Sequence, residues 1–219
     1  MKIAILGGTF NPIHIGHLAL ADDVCITFGY DRMLFIPAFC PPHKEMNDAE
    51  SGDDRFAMTE LACNMDGRFK ADDCELKRGG VSYTYDTVCF LEKKYASDLE
   101  GKIGLVMGQD LAAEFYKWYR ADELAEKTDI ILARRPPVFA DGSMKAFENK
   151  PSGAYTGKPA TENDMREFPF PHVLLRNPLL PVSSTDIRAR IAGNESWQYL
   201  VPAPVYRYIR ERRLYGYAE

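Results

Sequence analysis

Apolar and polar residues follow two periods along the chain, and the places where one gives way to the other predict its elements. "KIAIL" (2–6), "RMLFIP" (32–37), "IGLVMG" (103–108), "DIILA" (129–133) and "HVLLRN" (172–177) are short, nearly continuous apolar runs, as strands buried on both faces require. Between and after them, apolar positions recur at helical spacing in "HLALADDVCITFGY" (17–30), ended by Gly29, and in "DDRFAMTELACNM" (53–65) and "YTYDTVCFLEKKY" (83–95). "SSTDIRARIAG" (183–193) and "PAPVYRYIRERRL" (202–214) repeat the helical signal near the end. This alternation predicts an α/β fold: a Rossmann-like, doubly wound, mainly parallel sheet with helices on both faces and a small helical C-terminal portion at 183–219.

One stretch breaks both periods. Residues 137–171, which include "PSGAYTGKPATEND", are rich in Pro, Gly, Ser, Lys and Asn and predict a long surface excursion within a single domain spanning 1–219.

Composition narrows the function classes. With 46% hydrophobic residues in 219, the chain can bury one sizeable core. Its 32 acidic and 27 basic residues are interspersed, giving a net charge of −5 and no broad positive field for nucleic acid. No apolar run approaches the roughly 20 residues that span a bilayer. Met1-Lys2 leads straight into the first strand, so the expectation is a cytoplasmic protein that binds no membrane; a homo-oligomer is compatible with the sequence. Five cysteines, without a C-x-x-C pair, predict reduced thiols. Cys25, Cys63 and Cys89 fall on apolar helix faces, whereas Cys40 lies in a proline-flanked loop.

Candidate chemistry begins where the first strand ends, at "GGTFNPIHIGHL" (7–18). Gly7 and Gly8 lack a Cβ and would let backbone N–H groups approach a phosphate at the C-terminal edge of the sheet, where open α/β sheets bind ligands. The next helix would point its unpaired N-terminal amides at the same place, with His14 and His17, at i and i+3, facing it as donors. The spacing matches neither G-x-x-x-x-G-K-[ST] nor G-x-G-x-x-G, which excludes two common phosphate loops. A tight turn beside two surface histidines is the plainer alternative, but the ordered set of strand, glycine pair, proline and H-x-G-H favours function.

"GGTFNPIHIGHL" resembles the signature of the nucleotidyltransferase superfamily that shares its fold with class I aminoacyl-tRNA synthetases. "FIPAFCPPHK" (35–44), "SYTYDT" (82–87), "MGQDLAAEFYKWY" (107–119), "ARRP" (133–136), "SSTDIR" (183–188) and "VPAPVYRYI" (201–209) follow in the order seen in bacterial nicotinate-nucleotide adenylyltransferases. The resemblance covers about residues 2–214, apart from the excursion. It implies a nucleotidyltransferase-type sheet and adenylyl transfer from ATP to nicotinate mononucleotide, with Mg²⁺ carried mainly by the ATP phosphates and no dedicated protein metal site.

The resemblance also implies roles for individual residues. His14, His17, Lys44 and Arg188 would neutralise charge on the reacting phosphates. ATP would lie against Gly7, Gly8, Thr9, Phe10, Gly108, Asp110, Arg134, Ser184 and Thr185. Trp118 would stack on the pyridine ring, and the backbone amides of Thr84 and Tyr119 would meet its carboxylate. Taken alone, several of these have plainer readings: Lys44 as solvated surface, Asp110 as a helix N-cap, Ser184 or Thr185 as the cap of the "SSTDIR" helix, Trp118 as core. The chain departs from the family pattern at Asn11, where many members carry Asp, and at Ala38, where Asn is frequent. A phosphopantetheine adenylyltransferase, an aminoacyl-tRNA synthetase and a non-catalytic nucleotide sensor account for less of the motif set.

Overall fold

The computed structural model describes residues 1–40, 50–134 and 168–218. Six strands form one sheet: β1 (Ile3–Gly8), β2 (Arg32–Pro37), β3 (Phe69–Ala71), β4 (Ile103–Gly108), β5 (Thr128–Ala133) and β6 (His172–Leu175), in the order β3-β2-β1-β4-β5-β6. Every neighbouring pair is parallel. The α-helices of the described residues are α1 (Ile15–Phe28), α2 (Gly52–Cys63), α3 (Cys74–Arg78), α4 (Thr84–Lys94), α5 (Ala121–Lys127), α6 (Ser184–Ala192) and α7 (Ala203–Arg212), with 3₁₀ segments over Gln109–Lys117, Gln198–Leu200 and Leu214–Gly216.

The period-two side-chain alternation of a strand divides the core into two layers. Ala4, Leu6, Met33, Phe35, Val106 and Ile131 pack on one face with residues of α1, α2, α6 and α7. Ile3, Ile5, Leu34, Ile36, Leu105, Ile130 and Leu132 pack on the other with α3, α4, α5 and Phe115 of the first 3₁₀ segment. Both faces of the sheet are thereby covered, which is why its strands read as continuous apolar runs.

Several expectations need correction. Gly7 and Gly8 do not follow the first strand; they are its last two residues, paired with Ile36 and Pro37, and the Gly8 carbonyl accepts the Ala38 N–H at 2.9 Å. Asp110 does not open an α-helix: it lies inside the first 3₁₀ segment, and Trp118 forms that segment's C-terminal boundary. The cap of α6 is Ser183 rather than Ser184 or Thr185, its hydroxyl accepting the Asp186 N–H at 3.1 Å. The apolar periodicity also missed the short elements β3, α3 and α5.

The expected excursion lies outside the described residues up to residue 167. Of its last residues Phe168 is buried, with its ring centroid 5.5 Å from that of Phe115 and 5.5 Å from that of Phe170, whereas Pro169 and Pro171 are exposed. All five cysteines are free thiols. Burial pushes Cys25 up to about 11, and Cys63 and Cys74 up to about 12, so these three behave as small apolar side chains.

Candidate active site

The chain reverses its direction across the sheet between β1 and β4, and the two strands also part there. Their pairing stops at Leu6–Val106, whereas β1 stays on β2 as far as Gly8–Pro37 and β4 stays on β5 as far as Gly108–Ala133. A crevice therefore opens beyond the C-terminal ends of the two central strands, at the switch point where open parallel sheets take ligands. Gly7 is exposed there, and a Cβ built on it meets nothing within 4 Å. Gly8 has no such room, since a Cβ would lie 3.0 Å from the Phe10 ring.

Beyond Gly8 the chain turns through Thr9, Phe10, Asn11 and Pro12. Phe10 sits in the left-handed region at φ 47° with its side chain buried, its ring edge-on to His17 at 5.0 Å and tilted against Phe35 at 5.8 Å. The Phe10 ring therefore supports His17, and what Phe10 can offer a nucleotide is its backbone. His14 is the N-cap of α1 and His17 its third residue, and their rings stack with centroids 3.7 Å apart. The His14 backbone N–H donates to His17 Nδ1 at 3.2 Å. With Nδ1 an acceptor, the neutral His17 ring carries its proton on Nε2, which can donate to an oxyanion. Gly16 permits this arrangement: a Cβ there would lie 2.9 Å from Val182 Cγ1 and 3.1 Å from His14 Nδ1.

The helix α6 delivers the guanidinium. Ser184 Oγ donates to the Pro12 carbonyl at 2.8 Å, and Arg188 Nη1 donates to the Asn11 carbonyl at 2.8 Å, so the start of α6 is fastened to the loop after β1. Arg188 is half-buried, and one of its nitrogens also lies 3.4 Å from Thr185 Oγ1. Gly108 ends β4 beside the crevice, and exposed Asp110 lies two residues beyond it. Arg134 is exposed just past the end of β5, its backbone held on both sides by the Asn177 carboxamide at 2.8 and 3.0 Å.

A second group of residues lines the same sheet edge. α4 begins at Thr84 without a side-chain cap, which leaves its first amides directed outward, as a carboxylate would need. Tyr119 is brought to that helix end, its ring 4.8 Å from Tyr83 and 6.1 Å from Tyr85. Trp118, half-buried, leans on Phe115 at 5.2 Å. The loop after β2 is tied to the same place, because Ser82 Oγ accepts the Phe39 N–H at 3.0 Å and the Ser82 N–H donates to the Cys40 carbonyl at 2.9 Å. Lys44 lies outside the described residues. Among the described residues no group of three or more His, Cys, Asp or Glu side chains could hold a metal ion.

Sequence reasoning missed the residue that joins the two groups. Arg55 of α2 is buried, and its Nη1 donates to the Thr9 carbonyl at 2.9 Å and the Ala38 carbonyl at 2.8 Å, while Nε donates to the Glu50 carbonyl at 3.1 Å. Burial lowers its pKa, but a guanidinium remains a cation at neutral pH. A signal existed: Arg55, Met58, Thr59 and Ala62 share the buried stripe of α2 at i, i+3, i+4 and i+7, where an arginine is out of place unless it serves carbonyls.

The sequence model of the family described as cytidylyltransferase-like matches residues 5–190. A probable nicotinate-nucleotide adenylyltransferase of Treponema pallidum is 41% identical over 215 residues, covering 98% of this chain and 99% of that protein. Another probable nicotinate-nucleotide adenylyltransferase, from Geobacter sulfurreducens, is 35% identical over 217 residues, covering 99% of each. Among solved structures, the nicotinic acid mononucleotide adenylyltransferase of Plasmodium falciparum complexed with NaAD superposes with a TM-score of 0.72 at 18% identity, covering 99% of this chain and 98% of that one, a likeness of fold.

Proposed function

The chain belongs to the cytidylyltransferase-like family, and from that premise we propose that it is a nicotinate-nucleotide adenylyltransferase acting at the crevice between β1 and β4. It joins ATP and nicotinate mononucleotide into nicotinate adenine dinucleotide, a step of NAD biosynthesis, and releases pyrophosphate. The observation that carries the reading is the stacked His14–His17 pair at the start of α1, beside the parted ends of the central strands.

A phosphate oxygen of the mononucleotide attacks the α-phosphorus of ATP. The new P–O bond forms as the bond from the α-phosphorus to the bridging oxygen breaks, and the electron pair leaves on pyrophosphate. The nucleophile is already an anion, so no general base is required; positioning and charge neutralisation do the work. His17 donates from Nε2 and, with His14, meets the phosphates at the helix N-terminus, while Arg188 spreads its remaining donors over the leaving oxygens. Lys44 adds a further positive charge. The backbone of residues 7–10, with Gly108, Asp110, Arg134, Ser184 and Thr185, completes the ATP side. The pyridine ring stacks on Trp118, and its carboxylate meets the amides of Thr84 and Tyr119. Mg²⁺ carried by the ATP phosphates and water would supply further neutralisation of the triphosphate.

A substrate panel tests this reading. Pyrophosphate release from ATP is measured with nicotinate mononucleotide, nicotinamide mononucleotide and phosphopantetheine. Nicotinate should lead nicotinamide by at least roughly 10²-fold in kcat/KM, because an amide leaves one buried donor unpaired and loses a charge-assisted bond. Near-equal values would sink the two-amide carboxylate site, and turnover with phosphopantetheine alone would overturn the assignment.

A further inference from the structure

The residues that bind substrate in this reading do not explain a second network, which runs from the end of the chain back to the phosphate loop. Past α7 the backbone turns through Tyr215, a tyrosine in the left-handed region at φ 59°, ψ 27°. Its hydroxyl donates to Asn11 Oδ1 at 2.9 Å, and its backbone N–H donates to Glu50 Oε1 at 3.0 Å. The Glu50 N–H in turn donates to the same Asn11 Oδ1 at 3.2 Å. The buried Asn11 carboxamide oxygen is thus held from two directions, and the carbonyl of that residue is the acceptor for Arg188 Nη1 at 2.8 Å. A β-branched or aromatic side chain at positive φ is strained, and such a conformation persists only where surrounding contacts hold it.

We propose that Tyr215 is a positioning residue for adenylyl transfer: through Asn11 it sets the carbonyl that aims Arg188 at the leaving phosphates. Arg188 uses one donor on that carbonyl, which fixes the plane of the fork and so the direction of the others. Losing the tyrosine hydroxyl leaves the Glu50 N–H as the remaining one of the two holds on Asn11 Oδ1, so the side chain and the loop carbonyl gain freedom and the guanidinium loses part of its reference. Burial, and then the charge of Glu50, push the Tyr215 phenol far above its ordinary range, so it remains a donor throughout the working pH range. The network also explains why Asn serves at position 11 where many family members carry Asp: the Glu50 N–H and the Tyr215 hydroxyl each need an oxygen acceptor there, which either residue supplies.

The inference rests on the adenylyl-transfer reading, and its test separates the two. Steady-state kinetics with ATP and nicotinate mononucleotide are measured for the full chain, for Tyr215→Phe, for Arg188→Lys and for the double variant. Tyr215→Phe, folded by circular dichroism, should lower kcat about five- to tenfold, the scale of one hydrogen bond, while KM for the mononucleotide stays put. In the Arg188→Lys background the same change should cost little more, because the fork it aims is already gone. Asn11→Asp should retain rate that Asn11→Leu loses. An unaltered kcat in Tyr215→Phe, an equal fold-loss in both backgrounds, or loss of folding in Tyr215→Phe overturns the inference; a full chain that releases no pyrophosphate overturns the function instead.

Discussion

His17 is constrained on three sides: Phe10 lies edge-on at 5.0 Å, the His14 ring stacks at 3.7 Å, and the His14 N–H occupies Nδ1. That leaves Nε2 as the ring nitrogen that would donate to a phosphate in the proposed reaction, and a donor held that rigidly strengthens as charge develops in the transition state. His17→Ala should therefore lower kcat by about 10²–10³ with an unchanged far-ultraviolet spectrum; survival of activity within a few-fold would show that the pair is not at the chemistry. Gly16 offers a sharper case, because two effects of opposite sign meet there. Alanine improves helix propensity by about 1 kcal/mol, but its methyl would press on Val182 and on the His14 ring, and overpacking costs about 1–3 kcal/mol. The expected result for Gly16→Ala is a lower melting temperature and a larger loss of kcat. Adding Val182→Ala should recover most of the melting temperature and little of the rate, since the contact with His14 remains; recovery of both together would contradict that partition.

Among the elements, α2 does most to join the C-terminal helices to the site. Asp54, beside Arg55, accepts from Tyr208 of α7 at 2.8 Å and from the Ser51 hydroxyl at 2.6 Å, with Arg212 at 3.5 Å. Burial alone would raise its pKa, but those hydrogen bonds and the Arg212 charge prevail and hold it below the ordinary aspartate value. A depressed folded-state pKa stabilises above the unfolded value and is lost as pH falls through the folded one. Asp54→Asn should thus lower stability by about 1–3 kcal/mol at neutral pH, and the gap from the native chain should close below the ordinary aspartate range; denaturant titrations across acid pH would reveal a constant gap if the loss were only of packing. Long elements such as β1, β2, β4, α2 and α4 were legible because both sheet faces bury their periodic residues. Phe69–Ala71 was not, because three residues carry no period, and Gln109–Lys117 looked α-helical because apolar spacing does not separate a 3₁₀ turn from an α turn. Ser183 lost the cap to its neighbours in "SSTDIR" because three adjacent hydroxyl residues are equivalent on paper; the Pro12 carbonyl, far away in sequence, recruits Ser184 and breaks the tie.

At the scale of the molecule, the sequence carried the H-x-G-H motif, the parallel sheet and the order of the family motifs, but not which strands are neighbours. Parallel strands meet through crossovers, so the parting of β1 from β4 exists only in three dimensions. In the proposed function that crevice takes residues from the whole length of the chain: 7–17 and 108–110, the α4 start with Trp118 and Tyr119, and α6. A ligand bridging all of them stabilises the folded state by mass action, by about 2.7 kcal/mol at 100 times its Kd. For a chain of this size that corresponds to a rise in melting temperature of roughly 5–10 °C with the dinucleotide product. Stacking on an aromatic ring is worth about 1–3 kcal/mol, so Trp118→Ala should weaken the product at least roughly tenfold. At the same product concentration its stabilisation then falls to about 1.4 kcal/mol, halving the rise, while the rise produced by ATP is retained. Thermal melts of the two chains with each ligand decide the matter. An equal reduction for ATP and product would place Trp118 in the core against Phe115 and remove it from the pyridine site.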